Sequence, residues 1–155
     1  MIFVDASVLE SAIGPAGTAR EEAQKFFLQS LDRGVPLVTS AVTLLEIATA
    51  LESSAKSARS DFLMKLVRGR MHEVWSLEAE DVYHSQGLRF RFPDLHESGL
   101  VKLAACWRRG VEEIYTYDGI LRHAASAGRR GTRVSGGDRA RLAQQAWREM
   151  RNRDP

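Results

Sequence analysis

The chain has 155 residues, 44% of them apolar and 27% charged. That describes one ordinary globular domain with enough length for a core, not a disordered chain. No apolar run approaches the ~18 residues of a membrane span, and Met1 to Leu9 carries Asp5 and no basic stretch, unlike a signal peptide. The single cysteine, Cys106, excludes an internal disulfide or a cysteine-rich zinc site and points to a reducing cytosol. The net charge of +2 is uneven. Residues 1–128 hold 14 Lys and Arg against 17 Asp and Glu, whereas residues 129–155 hold 8 Arg against 3 acids. A basic tail of this kind suits an anionic partner or a solvated helix face.

In chain order, Ile2-Phe3-Val4 reads as a short buried strand ending in a polar turn at Asp5-Ala6-Ser7. Residues 18–33 read as a helix capped by Thr18 with Glu21 as capping-box partner, and Gly34 stops it. Pro36 to Thr39 is a second strand. Ser40 caps a helix to about Ser53, and a further helix over 57–69 ends at Gly69. Glu73 to Leu77 is a third strand. Residues 78–91 form a helix with Glu78, Glu80 and Asp81 at its positive end. After the break at Phe92-Pro93-Asp94 comes a helix over 97–109, stopped by Gly110. Glu113 to Thr116 is a fourth strand, and a short helix follows to about Ala127. A short strand around Arg133-Val134 and a last amphipathic helix over 138–151 complete the chain. Strands alternating with helices indicate an α/β domain with a central parallel sheet of four to five strands. Residues 1–127 form the body, and 128–155 form a basic loop and helix on or beside it.

The acids are informative by position. Asp5 follows the first strand directly and Asp118 follows the fourth. Residues just past the carboxyl ends of parallel strands converge on one crevice. Carboxylates gathered there repel each other, and a divalent cation between them reverses the sign of that interaction. Ser7 offers a hydroxyl at the same turn. Glu46 lies among Leu44, Leu45, Ile47 and Ala48 without an obvious salt-bridge partner in its own helix, so it points either to solvent or into a polar pocket. Asp94 and Glu97 precede the run Leu100 to Ala105, where acids also suit a helix N-terminus. Hard oxygen ligands in this arrangement suit Mg²⁺ or Mn²⁺ and phosphodiester cleavage.

Ile2 to Val8, Thr39 to Ile47, and Leu103-Ala104-Ala105 leading through Gly110-Val111 to Tyr115-Thr116-Tyr117-Asp118 together resemble the PIN-domain ribonucleases, and among them the VapC-type toxins of toxin–antitoxin pairs. The resemblance runs from residue 1 to about residue 125. It implies a metal-dependent endoribonuclease acting on tRNA, rRNA or mRNA, cytoplasmic, commonly a homodimer, and neutralised by a cognate antitoxin that covers the active site. It places catalytic and metal-binding roles on Asp5, Glu46 and Asp118, with Ser7 as a supporting hydroxyl. One family position departs: an aspartate is expected where this chain has Gly99. Glu97 is the preferred replacement and Asp94 the second candidate. Lys102, Arg129, Arg130 and Arg133 are candidates for RNA phosphates.

The main rival is a PIN-like module that binds RNA or protein with weak or no cleavage, because the third acidic position is irregular. A receiver-like or phosphatase domain ranks lower: the Asp-x-Asp pair and a lysine after a late strand are missing. His72 and His96 lack the second histidine of a zinc motif. Cys106 and the three tryptophans read as core or interface residues, and Arg108-Arg109 as a solvated face. Asp5→Asn, Glu46→Gln and Asp118→Asn should each lower cleavage by orders of magnitude with little loss of folding, because carboxylate repulsion is relieved.

Overall fold

The computed structural model describes residues 1–52, 57–128 and 133–135. Among them five short strands form one sheet: β1 (Ile2–Val4), β2 (Leu37–Ser40), β3 (Glu73–Trp75), β4 (Glu113–Tyr115) and β5 (Arg133–Ser135). They lie in the order β3-β2-β1-β4-β5, and each neighbouring pair is parallel. β1 is central and covered on both faces, which is why it reads as a continuous apolar run. Phe3 faces one side with its register partners Val38 and Ile114. Ile2 and Val4 face the other with Leu37 and Tyr115.

Among the described residues seven helices cover the sheet. α1 (Ala6–Ile13), α2 (Thr18–Asp32), α3 (Ala41–Glu52) and α4 (Ser57–Arg70) pack with Val4, Leu9, Phe26, Ile47 and Val67 in one core cluster. α5 (Ala79–Arg91), α6 (Glu97–Arg108) and α7 (Gly119–Gly128) cover the opposite face around Phe3, Trp75, Leu103, Ile114 and Leu121. The chain winds outward from β1 to β2 and β3, then returns to lay β4 on the other side of β1. The strand order therefore reverses between β1 and β4, and the crevice at their carboxyl ends is the expected ligand position in such a sheet.

Several local expectations change. Residues 6–13 are a helix, not only a turn. Every residue of α1 is buried, Ser7, Glu10 and Ser11 included, so its polar side chains mark no solvent-facing stripe. Thr18 is the first residue of α2 rather than its cap: Gly17 occupies the N-cap without a side-chain bond, so the Thr18–Glu21 capping box does not form. Gly34, at φ 62°, takes the left-handed turn that ends α2. Ser40 caps α3, its Oγ accepting from Thr43 N at 3.2 Å. α4 continues one residue past Gly69.

Arg108 is exposed and Arg109 half-buried, but both are engaged in ion pairs with α5. Arg108 Nε and Arg109 Nη1 each lie 2.9 Å from Asp81 Oδ1, and both guanidinium groups also pair with Glu78. Arg109 stands 4.9 Å above the ring of Trp75. The helix expected over 138–151, Arg129 and Arg130 lie outside the described residues. Among the described residues no helix is long and apolar enough to cross a membrane.

Candidate active site

Asp5 is the hinge between β1 and α1. It caps α1, and its Oδ2 accepts from Ser7 N at 3.3 Å, Ser7 Oγ at 2.7 Å and Thr116 Oγ1 at 2.9 Å. Both hydroxyls face this one oxygen because the backbone beyond β4 fixes them. Tyr117 N donates to Ser7 Oγ at 3.0 Å, and Asp118 N donates to Thr116 Oγ1 at 3.0 Å. Ser7 and Thr116 thus splice the tips of β1 and β4 together. Thr116 is a site residue that the sequence marks only by its place two residues before Asp118.

The other oxygen of Asp5 meets a cation. Lys102 Nζ donates to Asp5 Oδ1 at 2.6 Å and to Glu46 Oε2 at 2.7 Å. The side chains of Asp5 and Lys102 are 2% and 6% exposed, and that of Glu46 is 27% exposed. Asp5 comes from the sheet, Glu46 from α3 on one face and Lys102 from α6 on the other. Burial alone would raise the pKa of Asp5, but the Lys102 charge and the bonds from Lys102, Ser7 and Thr116 hold it well below the usual carboxylate range. Burial likewise opposes the ammonium of Lys102, and the charges of Asp5 and Glu46 more than offset that, raising its pKa above the ordinary lysine value.

Asp118 caps α7 at the same end of the sheet: its Oδ1 accepts from Ile120 N at 2.8 Å and Leu121 N at 3.1 Å. The structure places the remaining candidates elsewhere. Glu97 opens α6 with its carboxylate 73% exposed and 2.7 Å from Arg89 of α5, so the antiparallel packing of α5 on α6 turns it away from Asp5. Asp94 is exposed in the turn before α6. Lys102 does not face a phosphate surface; it is buried on two carboxylates. Arg133 is exposed, 3.5 Å from Glu113, and both stand at the amino ends of their strands, opposite the crevice.

Among the described residues no three His, Cys, Asp or Glu side chains stand together as a metal-holding group. The donor chemistry nevertheless fits a hard cation: two carboxylate oxygens already lie about one positively charged nitrogen, and Asp118 stands at the neighbouring strand tip. The misfit is in number, since Gly99 supplies no ligand and Glu97 points outward.

The PIN domain profile matches residues 2–127. Over 124 residues the chain is 39% identical to Ribonuclease VapC23 of Mycobacterium tuberculosis (strain CDC 1551 / Oshkosh), an alignment covering 80% of this chain and 98% of that protein. Its fold is similar to crystal structures of M. tuberculosis VapC20, a toxin that cleaves the sarcin-ricin loop (TM-score 0.69, 16% identity, 83% of this chain and 95% of that one). It is also similar to VapBC2 from Rickettsia felis bound to a DNA fragment from their promoter (TM-score 0.62, 12% identity, 87% of this chain and 98% of that one). The profile match and the ribonuclease relative agree with the sheet order and with the acids at the strand tips: this chain belongs to the PIN-domain family and sits with its VapC ribonucleases.

Proposed function

We propose that the protein is a metal-dependent endoribonuclease and the toxin of a type II toxin–antitoxin pair. One observation carries this reading: in a chain of this family, Asp5 and Glu46 converge on a single cation position at the sheet's switch point. Asp5, Glu46 and Asp118 would hold Mg²⁺ or Mn²⁺, which supplies Lewis acidity to a phosphodiester and lowers the pKa of water. The chain's own contribution is orientation. Ser7 and Thr116 fix one oxygen of Asp5, and the cap on α7 fixes one oxygen of Asp118. The substrate is RNA of the tRNA, rRNA or mRNA classes. The cytoplasm, a homodimer and a cognate antitoxin complete the reading, and the likeness to VapBC2 supports the antitoxin.

The test is cleavage of RNA by the metal-loaded protein beside Glu46→Gln and Asp118→Asn. Asparagine is as good an N-cap as aspartate, so Asp118→Asn removes charge while keeping α7. Loss of cleavage by two or more orders of magnitude (about 3 kcal/mol or more in barrier) is expected in both variants, with the melting temperature unchanged in Asp118→Asn. Cleavage equal to the parent in both variants would end the reading. A binding module with little or no cleavage is the second reading, favoured by Gly99 and by the lysine between the two carboxylates.

A further inference from the structure

The carboxylate pair that a metal would need already holds a cation, and that cation belongs to the chain. Building on the function proposed above, we propose that Lys102 is a built-in competitor for the metal: its ammonium occupies the seat between Asp5 and Glu46, and a divalent ion binds there only by displacing it. The geometry is that of a bridging ion, with one nitrogen 2.6 Å from Asp5 Oδ1 and 2.7 Å from Glu46 Oε2. The remaining oxygen of Asp5 is engaged by Ser7 and Thr116.

A second observation points the same way. Gly99 lies one turn before Lys102 on α6, and residues three apart share a helix face. A Cβ at Gly99 would stand 2.7 Å from Leu95 Cδ1 and 2.9 Å from Leu95 Cγ. Leu95 is 6% exposed and belongs to the core around Phe3 and Leu103. The space of a side chain at 99 is therefore filled by packing. α6 has no anionic ligand there and offers a positive charge one turn further on. Both features lower the attraction for a divalent ion. With Lys102 in place, the Asp5–Glu46–Lys102 group carries one net negative charge rather than two. Expelling the ammonium means moving a buried charge off two close partners. The same arrangement keeps the two carboxylates together in the metal-free protein, where they would otherwise repel each other.

The experiment is a Mn²⁺ titration of the full-length, metal-stripped protein and of Lys102→Met, read by the electron paramagnetic resonance signal of free Mn²⁺ and by melting temperature. The parent should bind weakly, with a Kd of ~1 mM or above, and Lys102→Met at least ~10-fold more tightly. Mn²⁺ should raise the melting temperature of Lys102→Met while leaving the parent nearly unchanged. A parent Kd of ~10 µM or below, or a variant that binds no more tightly than the parent, overturns the proposal. Should Lys102→Met not fold, the parent titration decides: weak binding supports the proposal and tight binding ends it. These readouts do not involve RNA. Tight metal binding by an RNA-cleaving parent would sink this inference and leave the nuclease reading standing. Weak metal binding by a parent that cuts no RNA would do the reverse.

Discussion

Lys102 changes what the acids of the crevice mean for stability. Read from the sequence, Asp5→Asn relieves repulsion and costs little. In the structure, Asp5 is the nearest partner of a buried ammonium, and removing one member of such a pair leaves the other uncompensated. Asp5→Asn should lower stability by about 3–5 kcal/mol, measured by urea unfolding. The pH dependence follows from the same contact. Asp5 is held below its ordinary value of 3.8 in the folded state, so its contribution is present above that pH and is lost as pH falls below it. The urea midpoint of the parent should drop below about pH 4, and Lys102→Met should show a shallower drop because the largest force holding the Asp5 proton off is gone. Glu97 belongs at the other extreme. Its carboxylate is 73% exposed on Arg89, so Glu97→Gln should leave both RNA cleavage and the urea midpoint at the parental value.

Between elements, the α5–α6 pair is held by charge as well as by packing. Asp81 is buried, accepts from Arg108 and Arg109, and also accepts from the backbone of Glu78 to complete the capping box of α5. Asp81→Ala removes the cap and leaves two guanidinium groups short of a partner, so a loss of about 2–4 kcal/mol in chemical denaturation is expected. The acids of this helix start were legible from position, because Glu78, Glu80 and Asp81 precede an amphipathic run. Their partners were not, because Arg108 and Arg109 lie on another helix and reading along one chain gives no cross-helix distance. α1 is not legible for a different reason: its polar residues Ser7, Glu10 and Ser11 are buried with the rest and mark no solvent-facing stripe.

Across the whole molecule, the two core clusters share β1. Phe3 belongs to one and Val4 to the other, so neither layer keeps its core without the central strand. Phe3 is fully buried and stacks 5.7 Å from Trp75. Phe3→Ala should cost about 3–5 kcal/mol. Circular dichroism and tryptophan fluorescence should still report one coincident transition, since both layers lose their support together. Separate transitions would mean that the layers unfold independently.

The sequence by itself determined the order of the strands and of the helices after α1, the parallel α/β class and the placing of Asp5 and Asp118 past strand ends, because periodicity and turn chemistry act over a few neighbouring residues. It also showed that Gly99 breaks the family's acidic pattern. Only the tertiary structure decided which acids meet. Asp5 at the tip of β1 and Glu46 on α3 meet at Lys102 of α6, and Glu97 pairs with Arg89 of α5 instead. Whether a charge is buried against a partner or left in water depends on distances between elements, and those are fixed only when the layers close over β1.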